Sequence, residues 1–267
     1  MSLFQIDNIK LYIIDLKFNM KNSNLKKINF PKFFKPKYKY KLIRIGKNFD
    51  GGYLVDKQSI KNTKTFISLG INDDWSFEKD FLRLNKNVNI KCYDNNTSLI
   101  FLIKIFLKKL IFFIYYGVSE TFKSFFNIFD YLFFLKSKIS NKYISHNDLV
   151  KLTKKLEGPF FLKIDIEGSE YRILQDILKL KNNISGMVIE FHDIDLFSNK
   201  IKKFIKESGL KLIHVHANNY GLEWNEANIL EITFSKRPNI IGKNVYFPNV
   251  LDQPNLKKNK EIKINFK

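Results

Sequence analysis

From residue 65 onward, short apolar runs alternate with amphipathic segments, and this order constrains the fold more than any other feature of the chain. The runs predicted as strands are 65–70, 89–94, 111–119, 159–165 and 185–191. The segments predicted as helices are 75–86, a stretch that begins near Leu99, 147–156, 171–180 and 196–208. Strands that alternate with helices predict a doubly wound α/β sheet in which most strands are parallel.

The last two apolar runs follow a different pattern. Residues 210–216 and 228–234 are separated by a loop that contains Asn218, Asn219 and Gly221, and no helical spacing lies between them. Two strands without a helical crossover predict an antiparallel hairpin, here at the sheet edge. Five alternating strands closed by a hairpin indicate a Rossmann-like sheet of the class I methyltransferase type rather than a plain dinucleotide-binding sheet.

Residues 101–116 are the strongest candidate for a membrane span. Lys104, Lys108 and Lys109 lie in the middle of this segment, where charges are most costly in lipid. We therefore interpret it as a helix that runs into the third strand, 111–119. The aromatic side chains of 121–135 are interpreted first as packing residues, with a stacking surface for sugar rings as the alternative.

The charge of the chain is strongly positive and unevenly distributed. The formal net charge is +20, and residues 16–49 contain ten lysines and Arg44 without an acid. Such a segment attracts phosphate-bearing substrates, nucleic acid or an acidic membrane surface, or it is simply a solvated surface. The expected organisation is a basic N-terminal extension that contributes little to the fold (1–41), a catalytic domain (42–240) and a lysine-rich tail (241–267).

The cysteine content and the N-terminal residues indicate where in the cell the protein is located. Cys92 is the single cysteine, so no intrachain disulfide can form, and this fits a reducing environment. The apolar positions near the N-terminus are soon interrupted by Asp7 and Lys10, which argues against a signal peptide. We expect a cytoplasmic protein, held peripherally at the inner membrane face if the basic segment binds lipid.

Polar residues and glycines follow the predicted strands at the points where these strands end. In a doubly wound sheet the ligand lies beyond the carboxyl ends of the central strands. The residues at these ends are Ser68 and Gly70, then Asp94, then Asp165, Glu167 and Gly168, and finally Glu190 and His192.

The first of these loops favours a particular kind of cofactor. Gly70 permits a close backbone approach, and Asp94 is positioned to accept two hydrogen bonds from a ribose diol. The loop lacks GxGxxG, and Asp73, Asp74 and Glu78 would repel a pyrophosphate. A cationic nucleoside without phosphate, such as S-adenosylmethionine, therefore suits it best.

Several blocks together resemble the FkbM-type methyltransferases. They are RIGKNFDGGYLV (44–55), FISLGINDDWSFEKDF (66–81), FLKIDIEGSEYRIL (161–174), VIEFHDID (188–195) and HVHANNYG with LEITF (214–234). The resemblance covers roughly residues 42–237, and the HANNY block is similar to a bacterial glycan-associated subgroup. It implies a class I S-adenosylmethionine-dependent methyltransferase that acts on a hydroxyl of a sugar or natural product. It also favours a lid role for DGGY (50–53), which is otherwise a turn with a left-handed glycine.

Candidate catalytic residues are Asp165 and two of the four histidines. Methyl transfer to a hydroxyl requires removal of a proton, which a neutral histidine can perform, so His192 and then His216 are the predicted bases. Asp165 is placed where cofactor and acceptor would meet, with Glu167 and Gly168 in the cofactor site or at the following helix. No spacing requires a metal, although Asp165, Glu190 and a histidine could hold a divalent cation.

Two other classes of function compete with this hypothesis. One is a nucleic-acid-binding protein whose basic N-terminus contacts phosphates, which the absence of an RNA-binding motif makes the weaker alternative. The other is an inactive Rossmann scaffold that binds a membrane surface. Binding of S-adenosylmethionine would separate the enzyme from both.

Overall fold

A computed structural model describes residues 25–220 and 227–267. The predicted loop around Gly221 and the segment before residue 25 lie outside the described residues. The strands are β1 (Lys26–Phe30), β2 (Lys39–Tyr40), β3 (Ile43–Ile45), β4 (Tyr53–Val55), β5 (Thr65–Leu69), β6 (Asn89–Tyr93), β7 (Ile139–Ser140), β8 (Phe160–Ile164), β9 (Ile184–Phe191), β10 (Lys211–Ala217), β11 (Leu230–Ser235), β12 (Ile240–Gly242) and β13 (Ile262–Phe266). The α-helices are α1 (Lys57–Lys61), α2 (Ser76–Leu84), α3 (Leu99–Ile111), α4 (Phe113–Asp130), α5 (Asp148–Thr153), α6 (Glu170–Leu180) and α7 (Ile194–Glu207).

The central sheet of the described ranges has seven strands in the order β10-β11-β9-β8-β5-β6-β7. Strand β11 is antiparallel to both neighbours, β9 and β10, whereas β5, β6, β7, β8 and β9 pair in parallel. Numbered along the chain within this sheet, the strands lie in the order 3-2-1-4-5-7-6. The predicted α/β sheet with its C-terminal antiparallel hairpin is confirmed, and this strand order is that of the class I methyltransferase fold.

The period-2 alternation of the strands produces two separate cores, one on each face of the sheet. Ile67, Leu162 and Met187 pack on the face covered by α5, α6 and α7. Phe66, Phe161 and Val188 point to the other face, where α1 and α2 cover them. Because both faces are buried, the strands are continuously apolar, and the polar groups collect where the strands end.

The interpretation of residues 111–119 as a strand is wrong. Residues 99–135 form a helical hairpin of α3 and α4 followed by a π-helical turn, Tyr131–Leu135, and the third strand of the sheet is the short β7. A continuous apolar run does not distinguish a strand from a helix by periodicity. Within the described ranges, no helix has the length and apolar character needed to cross a membrane.

The described part of the basic segment, from residue 25 onward, pairs and packs with the rest of the fold, which corrects for these residues the expectation that the segment contributes little to the fold. Strand β1 pairs in parallel with β13, and β2 pairs with β12. Phe30 and Phe34 are buried in the core that α6 and α7 also cover. The lysines of this segment alternate with apolar residues, so it is basic in composition yet amphipathic in structure. The predicted boundaries at 41 and 240 stay predictions.

Candidate active site

A cavity of about 400 Å³ opens at the carboxyl edge of the sheet. Its walls come from the β3–β4 turn and from the loops that follow β5, β6 and β8. Its volume is within the range usual for small-molecule sites, about 300–1,000 Å³. Four of the residues predicted for the cofactor site line it: Gly70, Asp94, Asp165 and Glu167.

Gly70 shapes the floor of the cavity. Its φ is +76°, and a Cβ atom added there would lie 1.6 Å from the backbone oxygen of Asp165. Its amide donates to the Tyr93 carbonyl, and its own carbonyl accepts from Lys163 Nζ at 2.9 Å. The left-handed backbone and the contact with Asp165 both exclude a side chain here, so the loops after β5 and β8 touch each other directly.

A cluster of buried polar side chains, Lys163, Glu78 and Ser68, supports the loop that contains Gly70. Lys163 and Glu78 are both buried, with Nζ and Oε1 3.9 Å apart, and Ser68 Oγ donates to the same Glu78 oxygen at 2.6 Å. Burial raises the pKa of Glu78, with Lys163 and Ser68 opposing it. Ser68 therefore faces the core network rather than the cavity, so its predicted cofactor contact is replaced by a supporting one.

Asp94 lies on the cavity wall, but its oxygens are already engaged. Oδ2 accepts the amides of Ile71 and Asn72, and Oδ1 accepts those of Asn96 and Thr97. Burial would raise the pKa of Asp94, and these four hydrogen bonds outweigh it and lower the pKa. Asp94 thus joins the loops after β5 and β6, and a ribose diol would share oxygens that already accept two backbone amides each.

Asp165 and Glu190 form a carboxyl pair in which Glu190 is buried and Asp165 is half-buried. Tyr53, from the DGGY motif, donates its hydroxyl to Glu190 at 3.3 Å and to Asp165 at 3.5 Å, and Asn218 Nδ2 donates to Glu190 at 3.0 Å. Burial raises the pKa of Asp165 to about 6. Burial and then the charge of Asp165 raise the pKa of Glu190 well above its usual range. The pair therefore takes up a proton far more readily than two exposed carboxylates would.

His192 lies beside this pair, held by a second buried acid. Its Nδ1 is 3.1 Å from Glu170 Oε1, and its Nε2 is 3.4 Å from Glu167 and 3.9 Å from Glu190. Burial lowers the pKa of His192, but the hydrogen bond and charge of Glu170, with the charges of Asp165 and Glu167, raise it overall. With Glu170 accepting from Nδ1–H, the Nε2 atom is left to face Glu167 and Glu190. His192 itself does not line the cavity, but Glu167 does.

Asp165, Glu190 and His192 are also close enough to share one ion. Each offers one ligand atom, and these three atoms lie within 4.8 Å of one another. Two carboxylate oxygens and one imidazole nitrogen are a donor set that several divalent cations accept. Glu190 is already bonded to Tyr53 and Asn218, and Nδ1 of His192 is taken by Glu170.

Glu167 and Gly168 make the turn between β8 and α6. Both have positive φ, 52° and 89°. The Glu167 side chain is 87% exposed and borders the cavity. Gly168 donates its amide to Glu170 Oε1 at 3.3 Å. Gly168 therefore supports the turn that carries Glu170, and it does not line the cavity.

The structure does not bring His216 to the cavity, which corrects its nomination as a base. Its Nδ1 is 3.1 Å from Glu231 and its Nε2 is 3.1 Å from Glu261, and all three side chains are buried. His214 is likewise buried, 2.9 Å from Asp252. With both ring nitrogens of His216 occupied by carboxylates, no nitrogen is left to accept a proton from an acceptor.

Three residues of the site escaped sequence reasoning: Tyr53, Lys163 and Glu170. Each of them lies inside one of the sequence blocks 44–55 and 161–174. A single lysine in a strand or a glutamate at the start of a helix has no characteristic spacing that would mark it as a site residue. The polar character of Lys163 within an otherwise apolar strand was the one available sign, because buried lysines are rare unless they are paired.

Comparisons with known proteins add solved structures of similar fold. No family model and no curated protein sequence matches the chain. The precorrin-6y C5,15-methyltransferase of Geobacter metallireducens is 14% identical with a TM-score of 0.38, over 67% of this chain and 85% of that one. The Methanococcus jannaschii fibrillarin pre-rRNA processing protein is 11% identical with a TM-score of 0.37, over 75% and 84% of the two chains. A mitomycin 7-O-methyltransferase is 7% identical with a TM-score of 0.32, over 68% and 53%.

At these identities and TM-scores, the similarities do not identify a substrate. The strand order 3-2-1-4-5-7-6, with its antiparallel seventh strand, assigns the chain to the class I methyltransferase fold.

Proposed function

We propose that this protein is an S-adenosylmethionine-dependent O-methyltransferase of the FkbM type. One observation carries the proposal: Glu167, on the acidic wall of the cavity, lies 3.4 Å from Nε2 of His192, whose Nδ1 is held by the buried Glu170. Gly70 and Asp94 would hold the cofactor, and Asp165 and Glu167 would border the acceptor. The residues fit a cationic cofactor, because six acids and three lysines line the cavity. Asp74 pairs with Lys47 at 2.8 Å, so the excess negative charge comes from the other acids, Asp73 and Asp94 among them.

His192 is proposed as the general base. The bound cofactor supplies an electrophilic methyl group on a sulfonium. Nε2 of His192 would take the hydroxyl proton as the acceptor oxygen bonds to the methyl group and the methyl–sulfur bond breaks to leave a neutral thioether. Glu170 would stabilise the resulting imidazolium through Nδ1–H. Asp165 and Glu190 add negative charge beside the imidazole. A positioned base typically contributes about 10²–10⁴-fold in rate.

The same cluster is proposed to act without a divalent cation. Glu190 already bonds to Tyr53 and Asn218, and Nδ1 of His192 already bonds to Glu170. A chelator should therefore leave turnover unchanged. Loss of turnover that Mg²⁺ or Mn²⁺ restores would instead assign Asp165, Glu190 and His192 to a cation that activates the hydroxyl.

The acceptor class rests on the FkbM resemblance: a hydroxyl of a sugar, glycan or related natural product. The buried free thiol of Cys92 fits a cytoplasmic protein. The surface lysines of residues 25–49 would attract an anionic partner, with nucleic acid as the weaker alternative. Comparison of host glycans with and without the protein, by mass spectrometry, tests the acceptor class through the mass of one added CH2.

Cofactor binding is the first test. Calorimetry with S-adenosylmethionine should show binding to the purified protein, and Asp94→Ala should weaken it by about 1.5–3 kcal/mol, the range for hydrogen bonds to a charged group. Asp94→Asn would turn an NH2 group toward two backbone amides, so it should also weaken binding. Unchanged affinity in Asp94→Ala would remove Asp94 from the cofactor site, and no binding by the wild type would favour the inactive scaffold.

A further inference from the structure

The helical hairpin of residues 99–135 exposes an unusual amount of apolar surface. Of the 24 exposed large apolar side chains in the described ranges, 16 lie between residues 100 and 133. Soluble domains rarely expose a continuous patch of this kind unless it contacts another surface. This apolar surface is therefore expected to be covered when the protein works.

The exposure is greatest where α3 turns into α4. Ile111 is 75% exposed, Tyr115 is 84% exposed and Ile114 is fully exposed. The hairpin is fastened to the domain at its other end, where Asn127 Nδ2 donates to the Asp73 carbonyl at 2.9 Å and Asp130 pairs with Lys79. The apolar residues around Ile114 are therefore exposed at one end of the hairpin, and contacts to the domain hold its other end in place.

Each helix of the hairpin carries an apolar stripe, with two lysines beside the stripe of α3 and one, Lys123, beside that of α4. On α3, Ile103, Leu107 and Leu110 recur at helical spacing and are exposed, and Lys104 and Lys108 follow one position later. On α4, exposed Phe122, Phe126 and Phe129 form the corresponding stripe. Helices with an apolar face flanked by lysines are typical of the interface of anionic membranes, where the ammonium groups remain at the headgroups.

The charge of the chain decides between a bilayer and a second copy of this protein. A two-fold contact through the hairpin would bring the lysine rows of two copies together, and each chain carries a net charge of +20. An anionic bilayer complements that charge, at about 1 kcal/mol for each lysine near the surface. Like charges across an interface are destabilising by comparable amounts, so the lipid surface is the favoured occupant.

We infer that the hairpin Leu99–Leu135 docks this protein on an anionic lipid bilayer by inserting its apolar faces into one leaflet. α3 has 13 residues, which corresponds to about 20 Å of helix and does not span a hydrocarbon core of about 30 Å. The hairpin therefore enters the membrane from one side and leaves the domain outside. This anchor is separate from the basic N-terminal segment.

The hairpin borders the candidate active site. Phe101 in the first turn of α3 lines the cavity, as does Asp73, whose carbonyl accepts from Asn127 on α4. If the proposed function holds, the cavity lies beside the base of the membrane-docked hairpin, which suits an acceptor carried on a lipid. The docking itself does not depend on that function.

Vesicle flotation tests the docking. The wild type should float with vesicles of phosphatidylglycerol and phosphatidylcholine and bind pure phosphatidylcholine at least tenfold more weakly. The double variant Ile114→Glu with Tyr115→Glu should lose at least tenfold in binding to the mixed vesicles. Leu196→Glu, on an exposed leucine of α7, is the matched control and should bind as the wild type does.

A spectroscopic test reports insertion directly. Cys92 is buried and burial raises the pKa of its thiol, so a thiol-directed dye should react at position 114 of Ile114→Cys. A blue shift of the dye on adding anionic vesicles is expected, and a dye at position 196 of Leu196→Cys should not shift. Equal vesicle binding by the double variant, an unshifted dye at position 114, or a dimer in solution that the double variant separates would each overturn the inference. Calorimetry of S-adenosylmethionine on the same variants separates its failure from that of the proposed function, since Ile114 and Tyr115 lie outside the cavity.

Discussion

Glu170 shows how a single buried residue organises the candidate site. Its Oε1 accepts from the amides of Ile166 and Gly168 and from Nδ1 of His192, so one carboxylate positions both the turn after β8 and the imidazole. Its role is to hold and charge His192 rather than to touch the acceptor. It is therefore a positioning residue, and its effect should appear in the pH dependence of the reaction.

The pH profile of methyl transfer tests this arrangement. The base must be neutral, so turnover should rise with pH through the folded-state pKa of His192, which lies above its usual 6.5. Glu170→Gln removes the charge that raises this pKa, so the rise should move to lower pH while the maximal rate falls.

His192→Gln is the companion variant. It should lose about 10²–10⁴-fold in turnover and keep its affinity for the cofactor. An unchanged profile in Glu170→Gln, with near wild-type turnover in His192→Gln, would exclude His192 as the base.

At the scale of elements, strand β8 contains the buried Lys163 and leads directly into Asp165 of the candidate site. Lys163 is one of its central residues, and its pKa is raised because Glu78 and other acids outweigh the effect of burial. Lys163 thus remains charged within the sheet and links β8, α2 and the loop after β5.

Removal of this lysine should be costly. Lys163→Met leaves the Glu78 carboxylate buried without its cation, which should lower the free energy of unfolding by about 3–5 kcal/mol. The double variant with Glu78→Gln should recover most of that loss in urea denaturation. If Lys163→Met alone is as stable as the wild type, the two charges do not interact in the folded protein.

The described part of the N-terminal segment is anchored to the domain by Phe34. Phe34 is buried against Phe30 and Phe33. Phe34→Ala should cost about 3–5 kcal/mol of stability through the cavity it leaves. Lys35→Ala, on the exposed neighbour, should cost less than about 0.5 kcal/mol. Equal thermal midpoints for the two variants would restore the hypothesis of a loosely attached extension.

At the scale of the whole molecule, the first and last strands of the described chain pair with each other. Strand β13 pairs with β1, and Glu261, just before it, reaches His216 on β10. Burial lowers the pKa of His216, but the charges of Glu231 and Asp252 and the hydrogen bonds to Glu231 and Glu261 raise it well above its usual value. A charged histidine thus ties the C-terminal segment to the sheet edge.

The interactions of His216 with Glu231 and Glu261 make the free energy of unfolding depend on pH. The folded-state pKa of His216 exceeds its unfolded value of 6.5, so its contribution is complete below that pH and is lost as pH rises through the folded pKa. The free energy of unfolding should therefore fall on the alkaline side more steeply in the wild type than in His216→Gln. Equal slopes, measured by denaturation at several pH values, would contradict a charged His216.

The sequence by itself determined the α/β sheet, its closing hairpin and the position of Gly70, Asp94, Asp165 and His192 at one edge. These features follow from local periodicity, because the carboxyl ends of parallel strands meet wherever the sheet forms. Only the tertiary structure decided which polar groups meet across the chain. It paired Glu170 with His192, engaged both ring nitrogens of His216, and docked the basic N-terminal segment through Phe34. It also showed that the apolar run 111–119 is helical and exposed. Each of these outcomes depends on contacts between distant residues, which no local pattern encodes.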